Sequence, residues 1–246
     1  MRGDLRAETI SIAGDGGDQI EAYAASPLDG GSRGGVVVIH HLPGYDLASK
    51  EIVRRFAAEG YDAICVNLYS RQAPGLDPDD AAALVRSQGG VEDPRLVADV
   101  EGAVAWLRAL PTSNGRVGTI GYCSGGRQSF LCAGSLDIDA AVDCYGAFVV
   151  GNPPDGFPLK VSSLEHLVPS LHCPVLGLFG AEDSYPAPAD MENLSGQLTA
   201  AGKPHSFHYF EGAGHGFFSV DRPAYRPEAA KEGWKLVLDF YAENLG

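Results

Sequence analysis

Net positive charge is what this 246-residue chain most lacks: 18 Lys and Arg stand against 32 Asp and Glu, a formal net charge of -14. Such a surface repels polyanions and releases no counterions on meeting them, so nucleic acid is excluded as a partner. No apolar run approaches the length of about 20 residues that crosses a bilayer, and no membrane partner is expected. The opening MRGDLRAETISIAGDGGDQIEAYAA scatters its charges and offers neither an apolar h-region nor an early small-residue cleavage site, so no export signal is expected.

Cysteine is scarce too. There are five, an odd number, with neither C-x-x-C nor zinc-type spacing. That argues against a disulfide framework and against a metal site, and it favours a reducing, cytoplasmic setting. Cys65, Cys132, Cys144 and Cys173 lie in or beside apolar runs and read as small buried hydrophobes. His40 and His41 are consecutive on a strand and point to opposite faces, so they form no metal pair, and His205 and His208 read as structural. No metal or organic cofactor is implied.

What the chain does contain is a globular balance, 45% hydrophobic and 20% charged. At this length an α/β fold is routinely one domain, here residues 1–246. TISIAG and QIEAYAA flank the turn DGGD and predict an N-terminal antiparallel hairpin. GVVVIH, AICVNL, RVGTIG, IDAAVDCYG and PVLGLFG are short continuous apolar runs of the kind buried on both faces of a parallel sheet. Between them lie helical stretches such as 93–110, where Leu96, Val100, Val104 and Leu107 recur at helical spacing. A last helix over about 228–245 gathers Trp234, Val237, Leu238 and Tyr241 on one face. The fold class is therefore α/β, a mostly parallel central sheet with helices on both faces and right-handed crossovers. SPLDGGSRGG reads as a mobile surface turn. GNPPDGFPLKVSS, residues 151–163, reads as a plain long loop in preference to a lid over a cleft.

One cysteine departs from the rest. GYCSGG places Cys123 between glycines where the strand RVGTI meets a helix. A G-x-nucleophile-x-G turn makes one side chain stand proud at the carboxyl end of a sheet, with the free N–H groups of the following helix aimed at the site. A tight turn with an incidental cysteine fits the pentapeptide as well. Nucleophilic catalysis also requires a base and a group to orient it, in the chain order nucleophile, acid, histidine. Asp183 follows PVLGLFG, and His215 lies in AGHGFF after HSFHYFEG. Taken singly, Asp183 fits a turn or helix cap and His215 a surface loop. In this order after three parallel strands they make a triad the better account.

With these residues in view, the chain resembles the dienelactone hydrolases of the α/β-hydrolase fold over nearly its whole length. GYCSGG matches the nucleophile turn of that family, NLYSRQAPGLDP the stretch after a core strand, GAEDSYPAP the acid loop and EGAGHGF the histidine loop. The resemblance implies carboxymethylenebutenolidase-type hydrolysis of a small lactone or ester. Cys123, Asp183 and His215 would be catalytic, acting through a thioester acyl-enzyme, with the N–H groups of Ser124 and Leu42 as oxyanion hole.

The sequence also departs from the family. His41 stands where relatives carry a glutamate against the resting thiol, which implies a thiol more readily ionised than theirs. Leu84 and Ser219 occupy positions where arginines would hold a substrate carboxylate. Arg71, Arg86, Arg127 and Arg222 are candidate substitutes, Arg127 the best placed, though salt-bridge or capping roles suit any of them. Tyr145 matches a family tyrosine near the cleft, with core packing as the alternative. A non-catalytic ligand-binding protein on the same fold and a thiol redox enzyme are the competing functions. A monomer or small homo-oligomer is expected.

Overall fold

The computed structural model describes residues 4–42 and 44–246. Leu5–Ala13 (β1) and Gln19–Pro27 (β2) pair antiparallel across the turn at Asp15–Gly17, and β2 buries alternate residues, Ile20, Ala22 and Ala24, as a strand covered on one face should. Arg33–Ile39 (β3) is instead buried at every residue. Val37 and Ile39 point into one core with Leu96, Val100 and Phe130. Val36 and Val38 point into a second with Phe56, Trp234 and Tyr241. A continuous apolar run is what a strand needs when both of its faces are covered.

The remaining strands are Asp62–Val66 (β4), Ser113–Tyr122 (β5), Ala140–Cys144 (β6), Val175–Gly180 (β7) and His205–Phe210 (β8). The sheet order is β1-β2-β4-β3-β5-β6-β7-β8, with β2 antiparallel to β4 and every pairing from β4 to β8 parallel. The helices are Leu47–Ala58 (α1), Pro78–Ser87 (α2), Asp93–Arg108 (α3), Ser124–Ser135 (α4), Pro188–Ala200 (α5) and Pro227–Leu245 (α6). The buried residues of α2 to α5 join the first core and those of α1 and α6 the second, so the sheet is sandwiched. Each fully buried aromatic of the second core contributes about 1.5–3 kcal/mol of apolar burial. Among the described residues no helix is long and apolar enough to cross a membrane.

Two sequence expectations are corrected here. The turn after β2 is pinned by the buried Arg33, whose guanidinium donates to the Gly31 carbonyl at 2.8 and 3.0 Å and pairs with Asp29 at 2.8 Å. Arg71, a candidate substrate residue, is a clamp within the fold. Its Nη1 donates to the fully buried Asp99 of α3 at 2.8 Å and its Nε to Asp18 at 2.9 Å, tying the β1–β2 turn to that helix. A carboxylate with no access to water recruits a cation, and Arg71 is the one in reach.

Candidate active site

The turn between β5 and α4 exists because two positions have no side chain. A Cβ on Gly121 would overlap the Gly125 carbonyl, and one on Gly125 would overlap the Ile39 carbonyl of β3. With both bare, the chain folds back tightly enough to leave Cys123 at φ 56, ψ -122, a left-handed conformation costly for a residue with a side chain. Its N–H donates to the Cys144 carbonyl at 3.0 Å and its carbonyl accepts from Gly126 at 2.9 Å. Cys123 is half-buried, whereas Cys65, Cys132, Cys144 and Cys173 are all buried, and all five are unpaired.

Asp183 and His215 sit on the loops after β7 and β8. These loops are tied together, since Glu182 N–H donates to the Ala213 carbonyl at 2.9 Å and Ala181 N–H to the Phe210 carbonyl at 3.0 Å. Asp183 is buried. One of its oxygens accepts from Tyr185 N–H at 2.9 Å and the other from His215 Nδ1 at 2.8 Å. Burial alone would lower the pKa of the imidazole. Asp183 and the Cys123 thiol outweigh it and hold His215 up at about 10. Cys123, which follows β5, thus acts on the same imidazole as Asp183. Tyr145, fully buried with φ 45, sets its ring edge-on to His215 at 5.0 Å and packs on Phe217 at 5.2 Å, so it borders the site and fills the core at once.

A cavity of about 390 Å³ opens on Cys123, Ser124 and Leu42. Phe157, Pro158, Leu159 and Val161 line it, so the 151–163 excursion is a wall of the site rather than a plain loop. Phe157 stacks edge-on against Phe148 at 5.0 Å. Arg127 reaches the same cavity, but its Nη1 and Nη2 each donate to Asp93 at 2.9 Å, and Nη2 also to the Ser162 carbonyl at 2.8 Å. The expectation that Arg127 holds a substrate anion is therefore corrected: its charge is spent on Asp93.

His41 lines a smaller cavity of about 130 Å³ on the α1 and α6 side, together with Tyr122, Tyr145 and Ser219. Its Nε2 donates to Asp46 Oδ2 at 2.9 Å, while Asp46 Oδ1 accepts from Ser49 N–H at 2.8 Å and caps α1. Burial works against the Asp46 carboxylate, yet these donors hold its pKa down at about 2. Pro43, which follows Leu42, lies outside the described residues. His40 is buried, with Nδ1 donating to the His41 carbonyl at 3.0 Å and Nε2 accepting from Leu68 N–H at 3.2 Å. Burial pushes its pKa down to about 4. His205 and His208 bond to Ser195 and Ser206, away from the site.

One residue of the neighbourhood escapes any motif. Asp143 of β6 is buried beside the turn, with Oδ1 accepting from Gly146 N–H at 2.7 Å and Oδ2 without a partner. Burial pushes this carboxyl up to about 7 despite the Gly146 donor and the nearby His215. In the sequence its only signal is an acid inside an apolar strand.

The sequence pattern of the dienelactone hydrolase family matches residues 20–245. The chain belongs to that family. Like other dienelactone hydrolase relatives, it is a hydrolase of ester-type bonds. It is 31% identical over 243 residues to a carboxymethylenebutenolidase of Pseudomonas putida, covering 97% of each chain. Among solved structures it is similar to a candidate dienelactone hydrolase of Klebsiella pneumoniae, with TM-score 0.86 and 29% identity over 98% of this chain and 99% of that one. It also shares the fold of P91, a dienelactone hydrolase-like promiscuous phosphotriesterase from metagenomic libraries. There the TM-score is 0.80 at 21% identity, covering 99% of this chain and all of that one.

Proposed function

We propose that this dienelactone hydrolase relative cleaves small lactones or esters with Cys123 as nucleophile, His215 as proton relay and Asp183 as the group that orients it. The observation that carries the reading is the chain of contacts at one sheet edge: the Asp183 carboxylate holds Nδ1 of His215 at 2.8 Å, and the Cys123 thiol perturbs the same imidazole. With Nδ1 committed to Asp183, Nε2 is left to exchange a proton with sulfur and with the leaving group.

In this scheme the proton shared between sulfur and His215 lies on the imidazole, whose pKa is held up at about 10, as sulfur attacks the acyl carbon, and the carbonyl oxygen becomes an oxyanion. The Ser124 N–H, first in α4, and the Leu42 N–H are its donors, and the half-charge at the helix N-terminus adds to them. Collapse breaks the C–O bond, and the imidazolium gives its proton to the departing alkoxide, leaving a thioester. Water, deprotonated by His215, then attacks the thioester and releases the acid with the thiol restored. We assign His41, clamped by Asp46, to fixing the loop that presents Leu42 rather than to contact with sulfur.

In a lactone the alcohol stays tethered to the acyl group, and the product is a hydroxy acid. We place the reaction in the cytoplasm, where a half-exposed nucleophilic thiol stays reduced, and treat residues 1–246 as one catalytic domain. Incubation with a lactone panel and p-nitrophenyl acetate, followed by intact-mass spectrometry, tests the proposal. The expected result is a burst of p-nitrophenol with an acyl adduct on Cys123, both abolished in Cys123→Ala. Turnover that survives in Cys123→Ala would overturn it.

A further inference from the structure

We infer that the cavity over Cys123 selects esters and lactones whose acyl part is uncharged and apolar, and discriminates against acyl groups bearing a carboxylate. The inference rests on the assignment of Cys123 as nucleophile. Three charged residues line the cavity: Arg86, Asp93 and Arg127. Arg127 and Asp93 form a bidentate pair of zero net charge. Within that pair the acid is the more open partner, its side chain 30% exposed against 4% for the arginine. An entering carboxylate therefore meets Asp93 before it meets the guanidinium. Nε of Arg127, the one guanidinium nitrogen that the pair does not engage, is buried.

Arg86 stands exposed at the mouth. There water screens its charge, and a single rim cation offsets little of the cost of stripping water from an anion. The rest of the wall is mostly apolar, and the 151–163 excursion contributes Phe157, Pro158, Leu159 and Val161. The chain's net charge of -14 adds a long-range field that disfavours anionic substrates. An apolar acyl chain, by contrast, loses only its own hydration shell on entering such a wall.

The test uses the full chain and two esters of matched length: p-nitrophenyl hexanoate, and the mono-p-nitrophenyl ester of adipic acid, which carries a terminal carboxylate. We expect kcat/KM to favour the hexanoate by about 100-fold, as an unpaired anion in an apolar wall requires. Asp93→Asn frees the Arg127 charge and is expected to narrow that ratio to about tenfold or less. Phe157→Ala, which leaves the ion pair alone, is expected to lower hexanoate turnover about tenfold. Equal rates on the two wild-type substrates, or a preference for the adipate, would overturn the inference. An adipate preference that Arg86→Ala removes would reassign the cavity to anionic acyl groups. Those outcomes leave acetate turnover by Cys123 intact. Loss of the Cys123 adduct with every ester would instead overturn the nucleophile assignment and this inference with it.

Discussion

Replacing Asp143 by asparagine isolates the cost of a buried carboxylate next to the nucleophile turn. The carboxyl titrates at about 7 in the folded chain against 3.8 for an unperturbed aspartate, chiefly because burial disfavours its charged form. A folded-state pKa raised above the unfolded one means that the native state holds the proton more tightly. The contribution of Asp143 to stability is therefore fully present below about pH 4 and is lost as pH rises through about 7. Three pH units correspond to about 4 kcal/mol in full, of which about 3 kcal/mol develops between pH 5 and pH 8. Asparagine keeps the oxygen that accepts from Gly146 and cannot ionise, so it mimics the protonated acid at every pH. Urea unfolding of both proteins from pH 5 to pH 8 should show the variant gaining on the wild type by about 3 kcal/mol across that range, with equal m-values. His40 and His215 titrate in both proteins and largely cancel in the difference. A difference constant to within about 0.5 kcal/mol would refute the reasoning, because Asp143 would then ionise as it does in the unfolded chain.

Three further outcomes follow from the same geometry. Asp183→Asn should cut kcat/KM by about 10⁴-fold and lower the His215 pKa from about 10, as read by NMR of the imidazole. The stability that pairing adds is fully present below about pH 6.5 and lost as pH rises through about 10, so the two proteins should converge in stability at alkaline pH. Arg71→Ala leaves the Asp99 carboxylate buried and should cost about 3 kcal/mol in denaturant unfolding, with kcat/KM within about twofold of wild type because the residue lies off the site. Gly125→Ala drives a Cβ into the Ile39 carbonyl; a destabilisation of about 2 kcal/mol or more and loss of p-nitrophenyl acetate turnover are expected, and a fully active variant would show that the turn does not need the glycine.

The legible part of the fold was the part that hydrophobic pattern specifies. Val36 to Ile39 had to be buried on both faces, and that alone requires helices on both sides of the sheet. The glycines around Cys123 were legible for a similar reason, since few other turns need two bare positions spaced around one side chain. Pairings between distant charges were not. Nothing local tells Arg71 to seek Asp99 rather than a substrate, or Arg127 to seek Asp93, because an arginine fork fits any carboxylate that the fold brings near. The 151–163 excursion was equally opaque. Its prolines and glycines exclude helix and strand but say nothing about which surface Phe157 and Leu159 will cover. Asp143 was hidden by the opposite problem, a polar residue inside an apolar run whose cost appears only once burial is known.

These differences bear on how the site is built. The residues proposed for chemistry hang from the carboxyl ends of the parallel strands β5, β7 and β8, with β6 between the first two, and the Glu182 to Ala213 hydrogen bond locks two of the loops together. The left-handed conformation of Cys123 costs about 1–3 kcal/mol and is sustained by its backbone hydrogen bonds to Cys144, Gly126 and Arg127 and by the closeness of β3. The cavity wall draws chiefly on the excursion and on the Asp93 to Arg127 pair, and Arg127 also ties to the turn through its N–H, 3.5 Å from the Cys123 carbonyl. A change within the excursion can alter what enters the cavity while leaving the Asp183 to His215 hydrogen bond in place. On the proposed assignment, Phe157 and Leu159, which line the cavity, therefore bear on which acyl group is accepted and not on whether the sulfur is acylated.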